Sequence, residues 1–283
     1  MGPEQPITSR TRETHKNGWF LPREHGATAM LLTPIVCVVI LSRTWRWSEL
    51  ATLTAAFAAL AVKDPMVVLA RQRFVWKQWH PETASAMRWF AGWTVILILS
   101  GLVLLASWPF KALVAMGLSV AIFSVLAIAI NVKNRQRSTL FQIASAAALT
   151  SSSLATSLSA TGTIAPWCWW LWLLLALQAT AGILAVHARL DARIALRSTA
   201  PAGENFRRAA EIALVVLACA AVIAAGLGHG WIALALLVAV VGYSYDLHAQ
   251  QDAAKLQLPL MKVGRRALAL SSLFSVLLIM GFW

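Results

Sequence analysis

The sequence predicts an all-α protein, a polytopic bundle of about nine transmembrane helices. Three observations carry that prediction. Of the 283 residues, 59% are hydrophobic and only 12% are charged, and the mean hydropathy is +0.69. Soluble domains carry about 25% charged residues, so a soluble enzyme is excluded. The apolar residues also fall in runs close to the roughly 20 residues a helix needs to cross a bilayer. Finally, the formal net charge of +13, from 24 Lys and Arg against 11 Asp and Glu, is spread in short clusters between those runs. A nucleic-acid partner would call for one solvated basic face, so no nucleic-acid partner is expected.

Cutting the chain wherever charges, Pro or Gly interrupt places segments near residues 26–42, 48–69, 89–107, 110–130, 140–161, 167–186, 209–227, 231–246 and 266–283. The first and eighth are short. Only Gly226, Gly228, His229 and Gly230 divide the seventh from the eighth, so a single long hairpin there would change the count to eight, and ten is also open. Cytoplasmic connections are enriched in Lys and Arg. With the N-terminus inside, every basic residue except Arg43, Arg46 and Lys111 falls on the inner side. Merging the glycine hairpin into one segment would put the last basic loop on the wrong side, so nine helices, N-in and C-out, is the expected topology. The expected location is a bacterial cytoplasmic (inner) membrane, spanned many times, with the lipid bilayer as the first partner.

Residues 1–24 carry Arg10, Arg12, Lys16 and Arg23 among prolines and Ser9 without an early apolar core, which reads as a cytoplasmic polar tail rather than a cleaved signal. Residues 25–283 then form a single transmembrane helical domain. The 14 tryptophans include Trp89 and Trp108 at the ends of the third segment, Trp167, Trp169 and Trp170 opening the sixth, Trp231, and Trp283. These positions suit interfacial anchoring among headgroups. The fifth segment is different, because Ser and Thr between Ser145 and Thr163 encircle the helix. It belongs inside the bundle, either lining a polar cavity or packing closely through small residues. Cys37, Cys168 and Cys219 each sit alone in an apolar stretch and are expected to be buried thiols, with no metal-ligand spacing among them.

Three constellations could carry chemistry. Arg23, Glu24 and His25 offer a cation, a carboxylate and an imidazole just before the first apolar run, where Pro22 can open a helix and Glu24 suits its positive end. The string Pro22-Arg23-Glu24-His25-Gly26, followed by Met30-Leu31-Leu32-Thr33-Pro34, resembles the signature of the YwiC-like family of bacterial integral membrane proteins, although Thr28 stands where the family usually has a tryptophan. That resemblance implies an integral membrane protein and no particular chemistry.

Lys63 and Asp64, with Pro65 positioned to end or kink the helix and Arg71 and Arg73 beyond, form the second constellation. His187 and Asp191, spaced i and i+4 beside Arg189, Arg193 and Arg197, form the third. These two groups follow the second and sixth segments on one membrane side. The arrangement resembles the UbiA prenyltransferase superfamily, which implies nine helices and aspartate-rich motifs holding a diphosphate through magnesium. Here Val67 and Arg71 stand where an NDxxDxxxD motif anchored at Asp64 would continue, and His187 replaces the first aspartate of DxxxD. The resemblance therefore implies altered chemistry, with arginines meeting an anionic headgroup directly.

The candidate ligand-binding residues are accordingly Arg23, Glu24, His25, Lys63, Asp64, Arg71, His187, Arg189 and Asp191. The second and sixth segments are expected to bring Lys63, Asp64, His187 and Asp191 into one cytoplasm-facing polar pocket. Its occupant would be an amphipathic lipid, isoprenoid or quinone-like molecule, bound or modified. A transporter is the alternative, and a non-catalytic subunit or assembly factor of a respiratory membrane system is a third. No cofactor and no metal can be named from the sequence, and haem ligation by His25 and His187 would require a matched depth that spacing does not establish.

Overall fold

The computed structural model describes residues 25–132, 138–197 and 204–283. All regular structure among them is helical. The elements are α1 (His25–Ser42), α2 (Trp47–Arg71), α3 (Thr83–Ser107), α4 (Phe110–Val132), α5 (Thr139–Thr150), α6 (Ser152–Thr161), α7 (Pro166–Arg197), α8 (Glu204–Gly226), α9 (Gly230–Ala249), the short α10 (Ala253–Leu256) and α11 (Leu260–Phe282). Seven of these are long and apolar enough to cross a membrane, and Gly26–Ser42 is a shorter apolar helix. Each expected segment has its helix, the fifth being divided into α5 and α6. The protein is a multi-pass membrane protein.

Local chemistry explains the boundaries. Glu49 closes the start of α2, its carboxylate accepting from the Arg46 backbone N–H at 3.1 Å, which satisfies a donor that a helix start otherwise leaves open. Pro65 does not end α2. The helix continues through it to Arg71 and then widens into a π-helical turn over Gln72–Trp76, closed by Lys77 at φ 52°. Gly228, at φ 82°, makes the turn between α8 and α9, so the glycine hairpin is a true reversal between two helices.

The break between α5 and α6 arises from hydroxyls bonding back to their own helix. Thr150 donates to the Ala146 carbonyl at 2.9 Å and Ser151 to that of Ala148 at 2.7 Å. Such back-bonding competes with the amide ladder and bends helices.

Contacts define two ends of the bundle. At one end Arg71 donates to the Asn131 carbonyl at 2.7 Å, joining α2 to α4, and Asp246 of α9 pairs with Arg266 of α11 at 3.1 Å. His187 of α7 lies 3.0 Å from the Gln142 side-chain oxygen of α5 at that same end. At the other end the Arg43 guanidinium lies 4.0 Å over the Trp283 ring, and Trp108 donates to the Ser159 hydroxyl at 2.8 Å. The basic clusters thus share one end, as helices joined by short connections require.

Helix α7 is the hub, packed against α1, α5, α6, α8, α9 and α11. In its most apolar stretch 56% of residues are buried, against 6% for α4 and 11% for α3. Helices α3 and α4 therefore turn residues such as Leu102, Leu118 and Val125 outward, where a bilayer supplies the apolar surroundings. The Ser/Thr-rich helix α6 sits between α1, α2 and α7. Its Ser153, Thr156, Ser157 and Ser159 are buried, with Ser153 and Thr156 donating to carbonyls of their own chain segment and Ser152 to the Leu31 carbonyl of α1 at 2.9 Å. Of the two roles open to this segment, the fold assigns close packing.

Two further expectations are corrected. Cys37 and Cys168 are buried, but Cys219 is exposed, because α8 turns that side of its apolar surface outward rather than toward α7. Trp108 is not a headgroup anchor. It is buried with its indole N–H committed to Ser159, at a point where α2, α3 and α6 meet. Trp170 and Trp283, by contrast, are exposed at the end opposite the basic clusters.

Candidate functional site

A cavity of about 550 Å³ opens between α1, α5, α7, α9 and α11 at the basic end. That volume falls in the range of small-molecule sites, about 300–1,000 Å³. Its walls are mostly apolar, built from Ala29 and Met30 of α1, Ile183 and Val186 of α7, and Met261 and Leu268 of α11. The polar lining is sparse and comes from α5, α7, α9 with its C-cap, and α11: Gln142, Gln178, Arg189, Tyr243, Asp246, Gln250, Arg265 and Ser271. From Gln178 to Arg189 along α7 the cavity runs roughly 16 Å at 1.5 Å per residue, and the lining of α11 covers a similar length.

The inner end is closed by a bonded pair. Gln178 donates to the Tyr243 hydroxyl at 2.7 Å, and that hydroxyl donates to the Gln178 backbone carbonyl at 3.3 Å. Both residues are buried within apolar helices, and mutual bonding removes the cost of leaving either unsatisfied. The approach of the two helices depends on Gly182, where a Cβ atom would stand 2.8 Å from the Tyr243 hydroxyl oxygen. Glycine is required there for clearance.

The outer end is charged. Arg189 is only 5% exposed although it lines the cavity. It donates to the Lys255 carbonyl at 2.5 Å and more weakly to that of Leu256, while its Nε has no acceptor. Arg193, one turn further, donates to the carbonyls of Leu256 and Leu258. Two arginines of α7 thereby hold α10 and the start of the next connection against the hub, satisfying carbonyls that a short helix leaves open. Asp246, the carboxylate of the lining, is engaged by Arg266, whose guanidinium also lies 4.0 Å over the Tyr245 ring. Gln250 completes the rim by donating to the Ala185 carbonyl at 3.1 Å.

Of the residues singled out from the sequence, Arg189 lines this cavity. Gly26 lines it too, so the chain enters α1 at the cavity's edge. Arg23 and Glu24 lie outside the described residues, as does the side chain of His25. None of Lys63, Asp64, His187 and Asp191, expected to share one pocket, lines this cavity.

The reason is topological. Helix α2 packs on α1, α3, α4 and α6, with α6 and α1 standing between it and the hub. Lys63 and Asp64 are half-buried on α2, and Arg71 ties α2 to α4. His187 touches the cavity indirectly, through Gln142, with its ring 5.2 Å from that of Phe206. Asp191 is half-buried further along α7, which continues as one helix past both residues.

Sequence reasoning missed Gln178, Tyr243, Asp246 and Arg265. A signal existed for two of them. Gln178 interrupts the apolar run of α7, and Asp246 is the acidic residue in the long apolar helix α9; polar groups at such depth default to functional candidates. Arg265 is one basic residue among several in the sequence, and only the packing of α11 singles it out. Among the described residues no group of three or more His, Cys, Asp or Glu side chains could hold a metal ion; the charged residues in the cavity lining are Arg189, Asp246 and Arg265.

Residues 21–157 match the family model described as YwiC-like protein, and this stretch of the chain is YwiC-like. It spans α1 to α5 and most of α6, and so contributes the α1 and α5 walls of the cavity; α7, α9 and α11, which supply most of the lining, lie beyond it. No curated protein and no solved structure matches the chain.

Proposed function

We propose that this YwiC-like membrane protein binds or modifies an amphipathic ligand, a lipid, isoprenoid or quinone-like molecule, in the cavity between α1, α5, α7, α9 and α11. The observation that carries the reading is the cavity's division into a long apolar wall and a charged outer end, the form of a molecule with a greasy body and a polar head. The proposal includes a bacterial cytoplasmic membrane with the basic end facing the cytoplasm, so that the head is read from that side. Arg23, Glu24 and His25, proposed here as ligand-binding residues, immediately precede in the sequence Gly26, which lines the cavity. Transport is less well supported, because the hydroxyls of the interrupted helix pair α5–α6 are spent on packing and carbonyl bonding rather than on a path.

The test is extraction. Protein purified in mild detergent is delipidated, and co-purified small molecules are identified by mass and absorbance spectroscopy. A reproducible amphiphile in the wild type, lost when Ala179→Leu and Ile183→Trp narrow the cavity, is the expected result. Equal content in wild type and filled variants would overturn the reading.

A further inference from the structure

We infer that the cavity selects an amphiphile whose head is a single anionic group, a carboxylate or a phosphate, taken directly by Arg189 and Arg265 without a bridging metal ion. The inference rests on the proposed amphiphile site and adds the sign of the head and the residues that read it. Its basis is a charge imbalance at the outer end. Two guanidiniums, Arg189 and Arg265, line the cavity against one carboxylate, Asp246. That carboxylate is already engaged at 3.1 Å by Arg266.

Arg189 donates to the neutral carbonyls of Lys255 and Leu256, which hold the side chain, and the attraction of Asp246 for it is shared with Arg266. A guanidinium buried to this degree is costly unless it is paired, and its Nε is a buried donor with no acceptor. An orphaned donor on a nearly buried cation at the wall of a cavity calls for an incoming anion. Arg265 is exposed on the neighbouring helix, so it can close on that anion from the opposite wall.

The geometry also assigns the tail. Beyond the charges the cavity continues inward past Ile183, Val186 and Leu268 to Gln178 and Tyr243. Those two residues satisfy each other, which leaves no second ionic anchor at the inner end. A molecule with one anionic head and one uncharged tail matches this layout; one with a charged group at each end does not.

The test uses the full chain in phosphatidylcholine nanodiscs, with dodecanoate, dodecyl phosphate, dodecanol, dodecyltrimethylammonium and inorganic phosphate as probes, each with and without EDTA. Retention is read by native mass spectrometry. The expected result is retention of both anionic amphiphiles regardless of EDTA, with the neutral and cationic ones retained roughly tenfold less, as charge-assisted bonding implies. Arg265→Gln should erase that difference while dodecanol retention stays unchanged. Because Arg189 also holds α10, its variant is the charge-keeping Arg189→Lys, which lacks the guanidinium fork and should lower anion retention more than dodecanol retention, the dodecanol reading carrying whatever loss of structure the change brings.

Equal retention of dodecanol and dodecanoate would overturn the headgroup inference and leave the amphiphile site standing. Loss of anion retention in EDTA would overturn the metal-free contact. Retention of no amphiphile, or of inorganic phosphate as well as dodecyl phosphate, would overturn both the inference and the reading beneath it.

Discussion

Gly182→Ala is the most direct probe of how the cavity is built. The added methyl group would stand 2.8 Å from the Tyr243 hydroxyl oxygen and 3.3 Å from its ring carbon, whereas ordinary contact begins at 3.4 Å. The ring must therefore retreat by about 0.6 Å in a place where Tyr243 is only 4% exposed and has little room. That movement pulls the hydroxyl from Gln178, to which it is bonded at 2.7 Å. Overpacking a well-filled site costs about 1–3 kcal/mol, and a side-chain hydrogen bond between membrane helices is worth about 0.6 kcal/mol. Together they put the loss near 2 kcal/mol, with α7 and α9 spread apart at the cavity's inner end.

The assay is a thermal melt in detergent of the wild type, Gly182→Ala, Tyr243→Phe and the double variant. Removing the hydroxyl removes the closest atom that the new methyl group meets, so the double variant should melt above the midpoint calculated from adding the two single losses. Strict additivity, or a Gly182→Ala protein as stable as the wild type, would refute the argument that this glycine exists for the tyrosine.

Three further outcomes are expected. Ser159→Ala should lower stability by about 1–2 kcal/mol, because the Trp108 indole N–H loses its acceptor in a buried place; Trp108→Phe in the same background should recover part of that loss, and a cost no greater than that of an exposed Ser→Ala change, such as Ser119→Ala, would count against the assignment. In the native protein a membrane-permeant maleimide should modify Cys219 alone, leaving Cys37 and Cys168 until denaturation, with labelled peptides identified by mass spectrometry. For orientation, single cysteines introduced at Gln257 and Gly228 in a cysteine-free background should divide sharply. In intact cells an impermeant reagent should reach position 228 and not 257, and the reverse pattern would invert the proposed topology.

The sequence alone was enough for the all-helical class and for the position and order of the apolar segments, because the length of a run against bilayer thickness is a one-dimensional criterion. It was also enough for the gathering of charge at one end, since Arg43, Arg46 and Lys111 are the basic residues that fall elsewhere. Arg189 was legible as a candidate ligand-binding residue at the end of an apolar run, although its burial was not. What the sequence could not decide was which helices are neighbours. Helices two and seven each carry a charged cluster at the same end, yet α2 packs chiefly on α3 and α4 while α7 packs chiefly on α8 and α5, and neither Asp64 nor Asp191 lines the cavity.

Apolar helices are nearly interchangeable in hydropathy, and their partners are chosen by shape: by Gly182 admitting Tyr243, and by the small hydroxyl residues of α6 letting α1 and α2 close in. The same limit explains Cys219 and Trp108, whose burial depends on which face of a helix finds a partner. Depth in the membrane is written along the chain, whereas direction around a helix axis is set only when the bundle assembles. The cavity is a property of that second coordinate, and so only the tertiary structure could bring Gln178, Tyr243, Asp246 and Arg265 together around it.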